Sequence, residues 1–353
     1  MLLRAVLANR FAILTFALLC AGCGRVGFVT STDATDHGDG DSDSHLHTAG
    51  GWSIAQLVDL GAGFSYVQQD FMDGQGAEVR DNAPSYVAAL YLPFTAELAV
   101  IAGRSVIEVP ADGHLTNHDY RPTTPDGDGP DAPGRMTYAD FKNGDAALWL
   151  GSSSKDGGDG LYRIASDWTM QGIHVVNNVT LNNVYALVFD AGGSFDAQQA
   201  PSLYFATEQK LERQTAAATT QVNTALPLSV DDLAVVGNAL YFTAEVQTEV
   251  ELDRLGPGTS YLQNQLSSAT SADLTLAEGP ADAGLFAIRN DAALVTVDPA
   301  SGTFTQVAWS DDPAWVWRAA CVPRAPHRLA GRVIVIESNR VLDRDRLLVI
   351  TPP

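Results

Sequence analysis

The chain has 353 residues, with 21 basic side chains against 42 acidic ones, a net charge of −21, and 46% hydrophobic residues. So acidic a chain repels phosphate backbones and anionic lipid headgroups, which excludes a general nucleic-acid binder and opposes direct electrostatic adhesion to membranes. Length and apolar content suffice for one large core or two smaller ones.

The first element in chain order is an address. Arg4 and Arg10 precede or open an apolar run, Phe11–Leu19, followed by the small residues Ala21-Gly22. That is the three-part layout of an export signal. The run falls short of the roughly 20 apolar residues that a membrane-spanning helix needs. The junction Leu19-Cys20-Ala21-Gly22-Cys23 resembles the lipobox of bacterial lipoprotein precursors, with Cys20 standing where Leu is usual. An ordinary secretory signal is the alternative. The resemblance implies that residues 1–22 are removed and that Cys23 becomes an acylated first residue. Two or more acyl chains hold a protein firmly at a bilayer, where one alone is marginal. Gly24 follows, not the Asp that favours inner-membrane retention in such proteins, so the expected location is the cell envelope, at the outer membrane. Cys20 then leaves with the signal and Cys23 takes lipid, so Cys321 remains alone and no intrachain disulfide is expected. Cys321 reads as a buried small hydrophobe, with a catalytic thiolate as the alternative.

Residues 23–50 read as a lipidated start followed by a disordered Asp/Ser/His-rich tether. They lack the apolar residues that would offset the entropy of ordering. A flexible chain of that length has a root-mean-square reach of about 30 Å. Asp39, Asp41 and Asp43 alternate as in a calcium loop, but the sixth position is Ser44 and the twelfth is Gly50, where an EF-hand requires Gly and Glu. His37, His45 and His47 read as solvated linker residues, with transition-metal binding as the alternative.

Residues 51–353 show no helical period. Short runs rich in Val, Ile, Leu, Tyr and Phe recur between clusters of Gly, Asp, Asn and Pro, as strands between turns. One anchor from each comparable run gives Leu98, Leu148, Leu203, Leu240, Phe286 and Ile334, separated by 50, 55, 37, 46 and 48 residues. A period in the forties is that of β-propeller blades, each of which needs neighbours to bury both its faces. Gly237-Asn238 between two apolar runs has hairpin chemistry. Asp298-Pro-Ala-Ser-Gly302 resembles the recurrent propeller phrase in which a strand ends in Asp-Pro, turns on Ser-Gly and returns. The expectation is therefore an all-β fold, a β-propeller of six or seven blades, with a β-sandwich as the alternative. Phe64–Gln68 would contribute to a seventh blade or close the ring.

Propellers bind at the channel mouth, so function is sought in loops. Between Val109 and Met136 lies an insertion with His114, His118 and Asp119, then Asp126, Asp128 and Asp131. On a helix His114 and His118 would share a face toward a metal, although the surrounding Gly, Asn and Pro disfavour a helix. The three later aspartates have calcium-loop spacing. Both groups are candidates for Ca²⁺ or another divalent ion, and an exposed inter-blade loop is the plain alternative. His174 and His327 stand alone. Arg324-Ala-Pro-His327-Arg328 is a rare basic cluster that could receive an anion, or simply a solvated connection. Trp315 and Trp317 alternate as on a strand, either packed between blades or with one facing a binding surface. No nucleophile elbow or P-loop occurs, and no catalytic residue or cofactor is assigned. The sequence thus points to a lipid-anchored envelope protein whose propeller binds another protein or a polysaccharide. The alternative is a metal-assisted hydrolase or lactonase.

Overall fold

The computed structural model describes residues 43–61, 71–72, 78–79, 86–92, 97–102, 105–110, 115–119, 121–122, 133–142, 146–152, 160–174, 184–195, 200–207, 210–216, 219–223, 230–246, 249–256, 263–270, 274–325, 327–339, 341–342 and 344–353. The strand-forming runs assemble into antiparallel sheets of four or five strands, six among the described residues, with a two-stranded ribbon of Phe71–Met72 and Glu78–Val79 apart from them. Sheet 1 runs from its inner strand Tyr86–Leu92 through Glu97–Ala102 and Ser105–Val109 to Thr116–Asp119. Sheet 2 holds Pro133–Ala139, Ala147–Ser152, Gly160–Ile164 and Thr169–His174, with Arg121–Pro122 added in parallel at its outer edge. Sheet 3 starts at Val184–Asp190, sheet 4 at Val230–Val236, sheet 5 at Leu274–Leu276 and sheet 6 at Trp315–Cys321.

These inner strands touch in sequence: sheet 1 against 2, 2 against 3, 3 against 4, 4 against 5, 5 against 6, and 6 back against 1. The fold is an all-β β-propeller. The sandwich alternative is overturned, because each sheet packs its two faces against two different neighbours rather than pairing with one partner. Sheet 3 shows how the sequence achieves this. Its second strand, Ser202–Thr207, is buried throughout. Leu203 and Phe205 join Trp149 and Leu161 of sheet 2, whereas Tyr204 and Ala206 join Leu233 and Phe242 of sheet 4. The period-two alternation of a strand thus feeds both interfaces at once. A buried carboxylate ties two sheets through the backbone: Asp232 accepts hydrogen bonds from Leu233 N (3.0 Å) and from Leu276 N of the next sheet (2.6 Å).

All six anchor residues fall on second strands, one in each sheet. The expected turns form too. Val236 pairs with Ala239 across Gly237-Asn238, and Gly237 has φ +59°, a value glycine adopts freely. Asp298 caps its turn by accepting from Ala300 N and the Ser301 hydroxyl, which lowers its carboxyl below the ordinary range, and Gly302 returns the chain at φ +70°.

The N-terminal part of the propeller is held by pairing with the end of the chain. The closing strand is Ser53–Gly61, which pairs with Arg344–Thr351 as the outer strand of sheet 6; Phe64–Gln68 lies outside the described residues. The propeller also begins before residue 51. Asp43–His45 form a 3-10 turn and Leu46–Thr48 pair with Phe304–Ser310 as a fifth strand of sheet 5. Polar and aromatic side chains hold this segment in place. His47 Nε2 donates to Asp311 Oδ2 (2.8 Å) beside the Trp309 ring, and His45 stacks on Trp315 at 5.3 Å. Arg346, 4% exposed, then clasps the segment: it donates to Asp43 Oδ1 (2.7 Å), Gln56 Oε1 (3.1 Å) and the fully buried Glu337 (2.6 Å), with its guanidinium 4.3 Å from the centre of the Trp315 ring.

Candidate functional site

The insertion after Val109 is not one long loop. Thr116–Asp119 is the outermost strand of sheet 1 and Arg121–Pro122 edges sheet 2. His118 and Asp119 therefore lie on a strand three places out from the inner one, not on a helix face. The His118 ring hydrogen-bonds Glu108 (2.7 Å) and stacks on Trp168 at 3.9 Å, so it joins sheets 1 and 2 at the rim. His114, Asp126, Asp128 and Asp131 lie outside the described residues, as does Cys23. Among the described residues no group of three or more His, Cys, Asp or Glu side chains converges.

Polar chemistry does gather on the axis, at the end of the ring where the inner strands finish. Glu278 follows the inner strand of sheet 5. Its backbone is held on sheet 6 by Glu278 N to Ala320 O (3.1 Å) and Val322 N to Glu278 O (2.6 Å), beside a bridge to Cys321. Gly279 allows this approach, since a Cβ there would stand 3.0 Å from the Cβ of Val322. The Glu278 carboxylate accepts the hydroxyl hydrogen of Thr137, a fully buried residue on the inner strand of sheet 2. Sheets 2 and 5 face each other across the ring, so this bond crosses the axial space. A second crossing joins sheets 6 and 3: Arg324 donates to Phe189 O (3.4 Å), its guanidinium 5.8 Å from the Phe189 ring centre.

Two further groups at this end, Cys321 and His327, are muted. Burial and the neighbouring Glu278 charge push the Cys321 thiol well above its usual range, so it stays protonated, as a small core residue would. Burial, aided by Arg328, lowers His327 to about 4. Its neutral Nδ1 accepts from Leu329 N (3.1 Å), pinning the connection that carries Arg324. Trp315 and Trp317 are both buried, Trp317 Nε1 donating to Glu337 at 2.9 Å. Among the described residues these two crossings bring one carboxylate, one hydroxyl and one guanidinium to this end of the axis. Glu278 carries no signal in the sequence because Ala277-Glu-Gly-Pro280 reads as an ordinary turn; the basic cluster around Arg324 does carry one.

No protein-family profile and no curated protein matches the chain. Solved structures do. A gluconolactonase from Xanthomonas campestris is similar over 77% of this chain and 88% of its own, at 11% identity and a TM-score of 0.54. A glucose dehydrogenase is similar over 85% of this chain and 99% of its own, at 14% identity and a TM-score of 0.53. At such identities the likeness establishes the propeller fold.

Proposed function

We propose that this chain is a lipid-anchored envelope protein whose six sheets are the blades of a non-enzymatic binding propeller for an envelope protein or surface polysaccharide. The observation that carries the reading is the way the chain enters the fold. After the Cys23 junction, Asp43 is seized by Arg346 and the next strands complete two sheets, so an acylated Cys23 would hold the whole propeller on a leash of about 20 residues. The propeller then stands at the outer membrane with its axial residues available to a partner. Growth with a palmitate analogue tests the anchor: the native chain takes the label and Cys23→Ser does not. Cross-linking in living cells tests the binding role. One envelope component captured by the anchored form and absent with Cys23→Ser supports it; turnover of a substrate that loop variants abolish overturns it.

A second reading, a metal-assisted lactonase, is favoured by the likeness to the gluconolactonase and by the axial placement of Glu278. Its test is hydrolysis of an aldonolactone by the purified soluble chain with and without Ca²⁺ or another divalent ion. Activity that needs the ion and is lost in Glu278→Gln supports this reading. Full activity in an ion-free protein, or none in either state, ends it.

A further inference from the structure

We infer that the hairpin tip Val341-Leu342 is a membrane contact that sets the orientation of the propeller on the bilayer. Among the described residues these are the two large apolar side chains that stand out in solvent, 78% and 53% exposed. Their exposure is built rather than incidental: Asn339 Oδ1 accepts from both Val341 N (2.9 Å) and Leu342 N (2.8 Å), fixing the turn that presents them. The tip lies at the end of sheet 6 where the chain enters. Asp43 is bound to Arg346, which pairs with Glu337, and Trp315, under His45, pairs with Asn339. Counting strand residues from Arg346 places the tip within about 13 Å of that entry.

The occupant follows from the leash, and the inference rests on the reading of Cys23 as the anchor. Twenty positions separate Cys23 from Asp43, so an acylated Cys23 holds the end of sheet 6 that bears Asp43 toward the lipid. A pair of apolar side chains on a fixed turn at that end suits the interfacial zone of a bilayer, where Val and Leu leave water without unsatisfied polar groups. The opposite end, with Glu278, Arg324 and the Gly237-Asn238 turn, then faces away from the membrane.

The test uses the full lipidated chain carrying Cys321→Ala, with a nitroxide at Leu342→Cys or, as the opposite-end control, at Asn238→Cys. Each is compared in detergent-free vesicles of phosphatidylethanolamine and phosphatidylglycerol and as the soluble Cys23→Ser form. On vesicles the 342 label is expected to collide about twofold more with oxygen and about twofold less with an aqueous nickel chelate, while the 238 label is unchanged. Equal responses at the two positions overturn the inference, as does exclusion of both collision partners at 342, which would mean a protein covers the tip. Flotation with the vesicles reads the anchor separately: a chain that does not float refutes the reading of Cys23 on which the inference depends.

Discussion

Arg346→Met is the sharpest single test of how the N-terminal segment is held. Arg346 is 4% exposed and Glu337 fully buried, so the substitution leaves a carboxylate in the interior with Trp317 Nε1 as its hydrogen-bond donor. Breaking a buried pair in this way costs about 3–5 kcal/mol, because the desolvated charge loses its compensation. Asp43→Ala removes a partner that is 53% exposed and should cost only about 0.5–1 kcal/mol. Arg346→Met/Glu337→Gln keeps an acceptor for Trp317 and leaves no charge buried, so it should recover about 2 kcal/mol or more of the single variant's loss. Urea unfolding of the soluble Cys23→Ser chain, followed by the fluorescence of its six tryptophans, reports the differences. With a slope of about 3 kcal/mol/M, the single variant's midpoint falls by about 1–1.7 M. A double variant no more stable than Arg346→Met alone would refute the argument from uncompensated charge.

Further outcomes follow from other sites. His327 is a base whose folded value, about 4, lies below its ordinary 6.5, so its contribution is whole above pH 6.5 and is lost as pH falls toward 4. The loss is at most about 3 kcal/mol. His327→Gln should flatten that part of the stability profile, and an unchanged profile argues against it. At Gly151 a Cβ would stand 2.8 Å from both Val184 Cγ1 and the Val184 carbonyl oxygen, so Gly151→Ala must force sheets 2 and 3 apart at a cost of about 1–3 kcal/mol. An unshifted thermal midpoint would contradict this. Cys321, buried and held protonated, should resist thiol reagents at pH 8 in the native chain and react once unfolded; rapid native labelling would show that it is accessible.

What the sequence displayed, and what it hid, follows from burial. The second strands of sheets 3 and 6 are covered on both faces, so runs such as Leu203-Tyr-Phe-Ala206 and Ile334-Val-Ile336 are continuously apolar and display the period of the sheets. Strands farther from the axis carry few apolar residues and read as loops: Thr116-Asn-His-Asp119 reads as part of an insertion, and in Lys210-Leu-Glu-Arg-Gln214, the third strand of sheet 3, only Leu211 is buried. The start of the propeller was hidden for another reason. Asp43, His45 and His47 look like solvated tether residues because their partners, Arg346, Trp315 and Asp311, stand more than 250 residues away, and nothing local announces them. The Glu278–Thr137 crossing is likewise set by the ring's geometry, which brings opposite sheets together at the axis and leaves no trace in residue spacing.

The seam formed by Ser53–Gly61 and Arg344–Thr351 imposes an order of events on the making of this protein. The first strands to be made must wait for the last ones, because among the described residues the edges they pair with are residues 304–310 and 344–351. Closing so long a loop is slow relative to local hairpin formation, so the intermediate sheets can assemble while the two ends remain open. During that interval Ser53–Gly61 carries an apolar strand with no neighbour, and the chain is at its most exposed to mispairing and proteolysis. Its biogenesis therefore hinges on the final ten residues, whose loss would strand the beginning of the chain as well as its end.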